Sequence, residues 1–75
     1  MMPLAFAPVG KTVCVARIAA DGALKKHLNN LGLLVQAELC VLASEGGSLI
    51  CRIGDTRIAL DKHLGAAIFV TVKEN

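Results

Sequence analysis

Only one stretch of this chain of 75 residues repeats its apolar residues at a helical interval, and that restricts the fold more than any other feature. In DGALKKHLNNLGLLVQAELCV, from Asp21 to Val41, the side chains of Leu24, Leu28 and Leu31 share one helical face. Lys25, Lys26, Asn29 and Asn30 fall on the other sides. Asp21 stands where a side-chain oxygen can accept from the first orphan amides of a helix. Gly32 stands where a left-handed C-terminal cap needs a residue without a β-carbon. No other segment has a comparable helical pattern, so a single short helix must be fixed onto a body made of strands.

The strands are separated by turn residues. Met1 to Gly10 reads as an extended lead-in closed by a turn at Pro8 and Gly10, with Leu4 and Phe6 tucked against the body. Lys11 to Ile18 is rich in β-branched residues and forms the first strand. Val13 and Val15 alternate onto one face, and Ile18 breaks that parity, which predicts a bulge near Ala16-Arg17. After the helix, Ala37 to Ser44 is a strand with Leu39, Val41 and Ala43 alternating against Cys40 and Leu42. Glu45-Gly46-Gly47-Ser48 is the clearest hairpin turn, Leu49 to Ile53 returns, Gly54-Asp55 turns again, and Thr56 to Leu60 completes a meander. Asp61 to Ala66 is short enough for a single helical or 3₁₀ turn capped by Asp61. Ile68 to Val72 is the closing strand, followed by a charged tail. The expected fold is mainly β: a small, partly open SH3-like barrel of about five strands, in one domain over 1–75. It has one short α-helix between the first and second strands and a helical turn before the last.

Composition narrows the chemistry. Hydrophobic residues make up 55% with two Phe and no Trp or Tyr, so the core must be aliphatic. A core this small supplies roughly 3–5 kcal/mol of net stability, which makes a partner or a weak homo-oligomer contact relevant. The most apolar run, Leu31 to Ala43, is broken by Gly32, Gln36 and Glu38, and a spanning helix needs about 20 uninterrupted apolar residues. MMPLAFAPVG has no basic n-region and carries two prolines, so it does not read as a signal peptide. A cytoplasmic protein with no direct membrane insertion is expected. Cys14, Cys40 and Cys51 are odd in number, contain no CxxC pair and sit in apolar strand-like runs, where free cysteine acts as a small buried hydrophobe. The net charge of +2 is scattered, without the basic face and stacking aromatics of a nucleic-acid module.

Catalytic and metal-binding constellations are not legible. A nucleophilic enzyme needs a base beside its nucleophile and a third group to orient the base, and Gly46-Gly47 leads into Ser48 and a strand rather than a phosphate-loop lysine and helix. An enzyme is not expected. His27, His63, Asp55, Asp61 and the cysteines are the ligand types available, none at the close spacing of a dedicated site. No cofactor is predicted, and Fe²⁺ association would have no ligand constellation to rest on. With only Phe6 and Phe69, the aromatic groove that reads proline-rich ligands is missing too. A protein-binding module remains. Its candidate surface is the polar side of the helix, Lys25, Lys26, Asn29 and Asn30, together with the apolar exit Leu33, Leu34 and Val35.

The helix LKKHLNNLG, followed by an apolar triplet and a strand, resembles the FeoA family, the small cytosolic component of bacterial ferrous iron uptake. GGSLICRIGDTRIALDKHLGAAIFV is similar to the same family's hairpin, RIAL strand and closing strand, here Arg57-Ile58-Ala59-Leu60 and Ala67-Ile68-Phe69-Val70. The lead-in MPLAFAPVG resembles the family's apolar start ending in glycine, and the likeness covers nearly the whole chain. It implies an SH3-like fold and a role as an accessory to FeoB, a membrane transporter with a cytosolic GTP-binding domain. It also implies kinship with the C-terminal domains of metal-dependent repressors, so a stand-alone regulatory or metal-sensing domain is the alternative. The family commonly has glycine in the turn after the helix; this chain has Gln36, which needs either a negative φ or some strain.

Overall fold

A computed structural model describes residues 1–73. The β-branched and aliphatic runs form β1 (Met2–Pro3), β2 (Thr12–Ile18), β3 (Glu38–Glu45), β4 (Ser48–Ile53), β5 (Thr56–Leu60) and β6 (Ile68–Val72). Helix α1 (Gly22–Asn30) joins β2 to β3, and helix α2 (Lys62–Ala67) joins β5 to β6. The strands pair antiparallel into one sheet in the order β1-β6-β2-β3-β4-β5. There are six strands rather than five, because Met2 and Pro3 pair with Val70 and Phe69. Among the described residues no pairing joins β1 to β5, so the sheet stays open and the word barrel applies loosely. The charged tail expected beyond Val72 lies, past Lys73, outside the described residues.

The two glycines of the β3–β4 hairpin show why that turn was legible. Gly46 and Gly47 both take positive φ between the paired residues Glu45 and Ser48, as a two-residue hairpin with the right twist requires. A β-carbon on Gly47 would come within 2.9 Å of the Lys62 Cβ.

Alternation places Val13 and Val15 of β2, Leu39 and Val41 of β3, Leu49 and Cys51 of β4, Ile58 and Leu60 of β5, and Ile68 and Val70 of β6 in one buried layer. The core is aliphatic, as the composition demands. The β2 bulge lies between Val15 and Arg17. A second irregularity, between Val41 and Ala43, was not expected. It shifts the parity of β3 and puts Ala43 on the exposed face, opposite Ile50, instead of in line with Leu39 and Val41.

The lead-in also departs from expectation. Leu4 to Phe6 is one 3₁₀ turn, closed by the Ala7 amide donating to the Leu4 carbonyl. The turn drives Leu4 fully into the core and leaves Phe6 76% exposed. Two residues apart would share a face in a strand, but they diverge in a 3₁₀ turn.

The helices differ in how they begin. Asp61 caps α2 by accepting from the Leu64 amide at 2.9 Å, and α2 is a six-residue α-helix rather than a lone turn. Asp21 occupies the N-cap position of α1 but takes no capping hydrogen bond. Gly22 beside it has φ +58°, outside the helical region, so the first amides are not aimed at the carboxylate.

Candidate docking surface at the helix exit

Helix α1 ends in two interlocked turns. The Leu33 amide donates to the Leu28 carbonyl at 2.9 Å, and the Gly32 amide donates to the Asn29 carbonyl at 3.0 Å. With Gly32 at φ +94°, this is the six-to-one and five-to-two pairing of a Schellman cap. Such a cap brings the residue after the glycine against the last turn of the helix. Leu33 and Leu28 are accordingly both fully buried. Leu33, expected among the docking residues, is therefore a core residue and leaves that surface.

The chain then turns again. The Ala37 amide donates to the Leu34 carbonyl at 2.9 Å, which makes Leu34-Val35-Gln36-Ala37 a β-turn. Gln36, third in the turn, has φ +81°, the type II value that ordinarily calls for glycine. Among the described residues it is the one non-glycine residue with positive φ. Its amide is anchored on the Val15 carbonyl at 2.7 Å, while the Val15 amide donates to Ala37 at 2.8 Å. The turn is thus pinned to β2 on both sides, and the neighbouring structure holds Gln36 in a conformation that costs an ordinary residue roughly 1–2 kcal/mol.

This arrangement turns Leu34 and Val35 outward, 50% and 53% exposed. Lys25, Lys26 and Asn30 are exposed on the helix, and Asn29 is half-buried. Leu24, placed with the apolar stripe, is exposed as well, so Leu28 is the one buried residue of α1. The surface that results is a basic helix flank followed by a rigid, solvent-facing apolar turn.

The remaining candidates do not come together. His27 is exposed in the last turn of α1 and His63 is exposed in α2. Asp61 is occupied by its cap and Asp55 lies in the β4–β5 turn. No three of the described His, Cys, Asp or Glu residues lie close enough to hold a metal ion. All three cysteines are free, Cys14 and Cys40 half-buried and Cys51 buried. Burial first, and the neighbouring Cys40 second, push the Cys51 thiol from its ordinary 9.0 up to about 11. It stays protonated at neutral pH and is a poor nucleophile. Among the described residues no helix is long and apolar enough to cross a membrane.

The FeoA domain model matches residues 2–72. The chain belongs to the FeoA family. A protein from Methanocaldococcus jannaschii, provisionally named Fe(2+) transport protein A, is 31% identical over 70 residues, covering 93% of this chain and 85% of its own length. The solution structure of iron(II) transport protein A from Clostridium thermocellum superposes with a TM-score of 0.87 at 25% identity, over 95% of this chain and 45% of that one. A manganese-dependent transcriptional repressor superposes with a TM-score of 0.86 at 27% identity, over 96% of this chain and 41% of that one. This FeoA domain therefore spans less than half the length of each of those two structures, and its SH3-like fold is shared with them.

Proposed function

We propose that this FeoA-family protein is an accessory of ferrous iron uptake that docks, in the cytoplasm, on the cytosolic GTP-binding region of a FeoB-type transporter. The observation that carries this reading is the outward turn at the helix exit. A left-handed glutamine is maintained there by two main-chain hydrogen bonds to β2, and it keeps Leu34 and Val35 in solvent at the exit of the helix that exposes Lys25 and Lys26. Rigid exposed apolar residues rimmed by charge are the composition of a protein contact. A pre-ordered turn also loses little conformational freedom on binding. Membership of the FeoA family, with a relative named for Fe(2+) transport, supports a transporter as the partner class. The protein works by binding rather than by catalysis, and iron is the cargo of the transporter rather than a ligand of this chain.

An NMR titration of isotope-labelled protein with that GTP-binding domain tests the reading. It is run with GDP, with a GTP analogue, and with Fe²⁺ alone. Saturable shifts are expected over Lys25 to Val35, excluding buried Leu33 as a direct contact. The double variant Lys25→Glu/Lys26→Glu should bind about tenfold more weakly while keeping its fold. Unchanged affinity would remove the helix flank from the interface.

The likeness to the manganese-dependent repressor favours one second reading, a regulatory domain acting through self-association or a DNA-binding partner. Silence toward the transporter domain, with a change in the salt-dependent DNA binding of a repressor, would select it.

A further inference from the structure

The sheet has two open edges, and they are unequal. β1 offers only Met2 and Pro3, and proline has no amide to donate. β5 offers five residues, Thr56 to Leu60, all paired with β4 on one side. Among the described residues, no hydrogen bond from a turn, loop or side chain reaches any β5 residue. An exposed strand edge is a template for another strand.

The outer face beside that edge has a pattern. Arg57 of β5 lies opposite Arg52 of β4, and both are exposed. The described residues contain one ion pair, Lys73 with Glu38, so neither arginine is neutralised. Like charges directly opposite each other in a sheet destabilise it. One step along, Ala59 lies opposite Ile50, itself 45% exposed and opposite Ala43. This apolar row borders an open hollow of about 840 Å³, also lined by Leu60 and Leu64, with the acids Glu45 and Asp61 on its wall. The edge is basic at Arg57 and apolar at Ala59.

We propose that β5 accepts an extended segment of a partner protein, carrying an acidic side chain opposite Arg57 and a large apolar side chain two residues away over Ala59. Main-chain hydrogen bonds along the edge provide affinity in this mode, and alternate side chains provide selectivity. The two-residue spacing follows from the pleat, which sends every second side chain to the same face. Charge argues against a second copy of this chain as the occupant. Antiparallel pairing of β5 with itself centred on Arg57 or Ile58 would gather Arg52 and Arg57 of both copies, and the registers that set a carboxylate opposite Arg57 would have to draw it from the β4–β5 turn at Asp55 or from the α2 cap at Asp61. The small side chain of Ala59 leaves room for a bulky residue to lie across it onto Ile50. The acids Glu45 and Asp61 disfavour a second acidic residue over the hollow. This edge shares no residue with the helix-exit surface, so the two can be tested separately.

The test uses peptides of roughly six residues, the ordinary strand length. One carries glutamate and leucine two residues apart, and a control has lysine in place of the glutamate. Titrated into labelled protein, the glutamate peptide should shift the Thr56 to Leu60 amides and bind about fivefold more tightly than the lysine control. Arg57→Glu, at an exposed position, should reverse the preference while the spectrum stays dispersed. Equal binding of both peptides would overturn the proposal, as would unshifted β5 amides at millimolar peptide. Concentration-dependent shifts of β5 without peptide would give the edge to a second copy and overturn it as well.

Discussion

The two helices are attached to the sheet in opposite ways. α1 is the longer, carries the amphipathic pattern and shows one buried residue, Leu28. α2 has six residues and little helical pattern, yet it packs against the Leu4–Phe6 turn and against β1, β4, β5 and β6. α1 makes no comparably broad contact with any single element among the described residues. Helix length and periodicity therefore do not measure how firmly a helix is docked. A short helix is formed by the tertiary contacts around it, whereas α1 hangs from one leucine and its C-terminal cap, with most of its surface in solvent.

The sharpest way to break this comparison is Leu28→Ala. It should cost about 2–5 kcal/mol in urea unfolding, with amide exchange rising first along α1. A loss spread evenly over the sheet would mean that α1 is not hung from that residue. Next comes Gly65→Val in α2. A β-carbon on Gly65 would lie 3.1 Å from the Leu49 Cδ1 and 3.5 Å from the Ala5 Cβ, so about 1–3 kcal/mol should be lost to overpacking. Asp61→Ala removes a formed cap and should lower stability by about 1 kcal/mol in the same assay. Gln36→Gly tests the α1 exit. It relieves the left-handed strain of roughly 1–2 kcal/mol but adds about 0.5–1 kcal/mol of unfolded-state entropy, for a net gain of about 0.5 kcal/mol. The smallest effect belongs to Asp21→Ala, a few tenths of a kcal/mol at most, since the Asp21 side chain makes no capping bond. Equal losses from the two aspartates would erase the distinction between the helices.

The succession of strands and turns was largely legible in the residues, but the contrast between the helices was not, since a cap was expected at Asp21 as much as at Asp61. Gly32, the Gly46-Gly47 turn and the break of parity at Ile18 are local signals, and each forecast the backbone seen. Lys25, Lys26, Asn30, Leu34 and Val35 lie on the surface where the pattern placed them. What escaped depends on partners distant in sequence. Met2-Pro3 becomes a strand only because β6 lies beside it, and nothing local marks the register shift after Val41. Leu33 reads like its neighbours Leu34 and Val35, but the Schellman cap takes the first apolar residue after the glycine inward and the next turn takes the other two outward. Gln36 in place of a turn glycine allows either strain or a negative φ, and the structure shows the strained, left-handed form. The β5 edge could not be seen at all, because which strand ends a sheet is a matter of topology.

That topology also sets a schedule. β6 lies between β1 and β2, so strands from the beginning of the described chain are joined by one from its far end. The hairpins β3–β4 and β4–β5 can close as the polypeptide leaves the ribosome, each needing only a two-residue turn. β2 can pair with β3 but gains its other neighbour only once Ile68 to Val72 has emerged, and β1 waits for the same strand. Closing such non-local pairs is slow compared with forming hairpins. A ribosome that stalls before Ile68 therefore leaves a partial sheet with the hydrogen-bonding edge of β2 unpaired and Ile68 and Val70 missing from the core, a nascent chain for chaperones to shield rather than a smaller version of the domain.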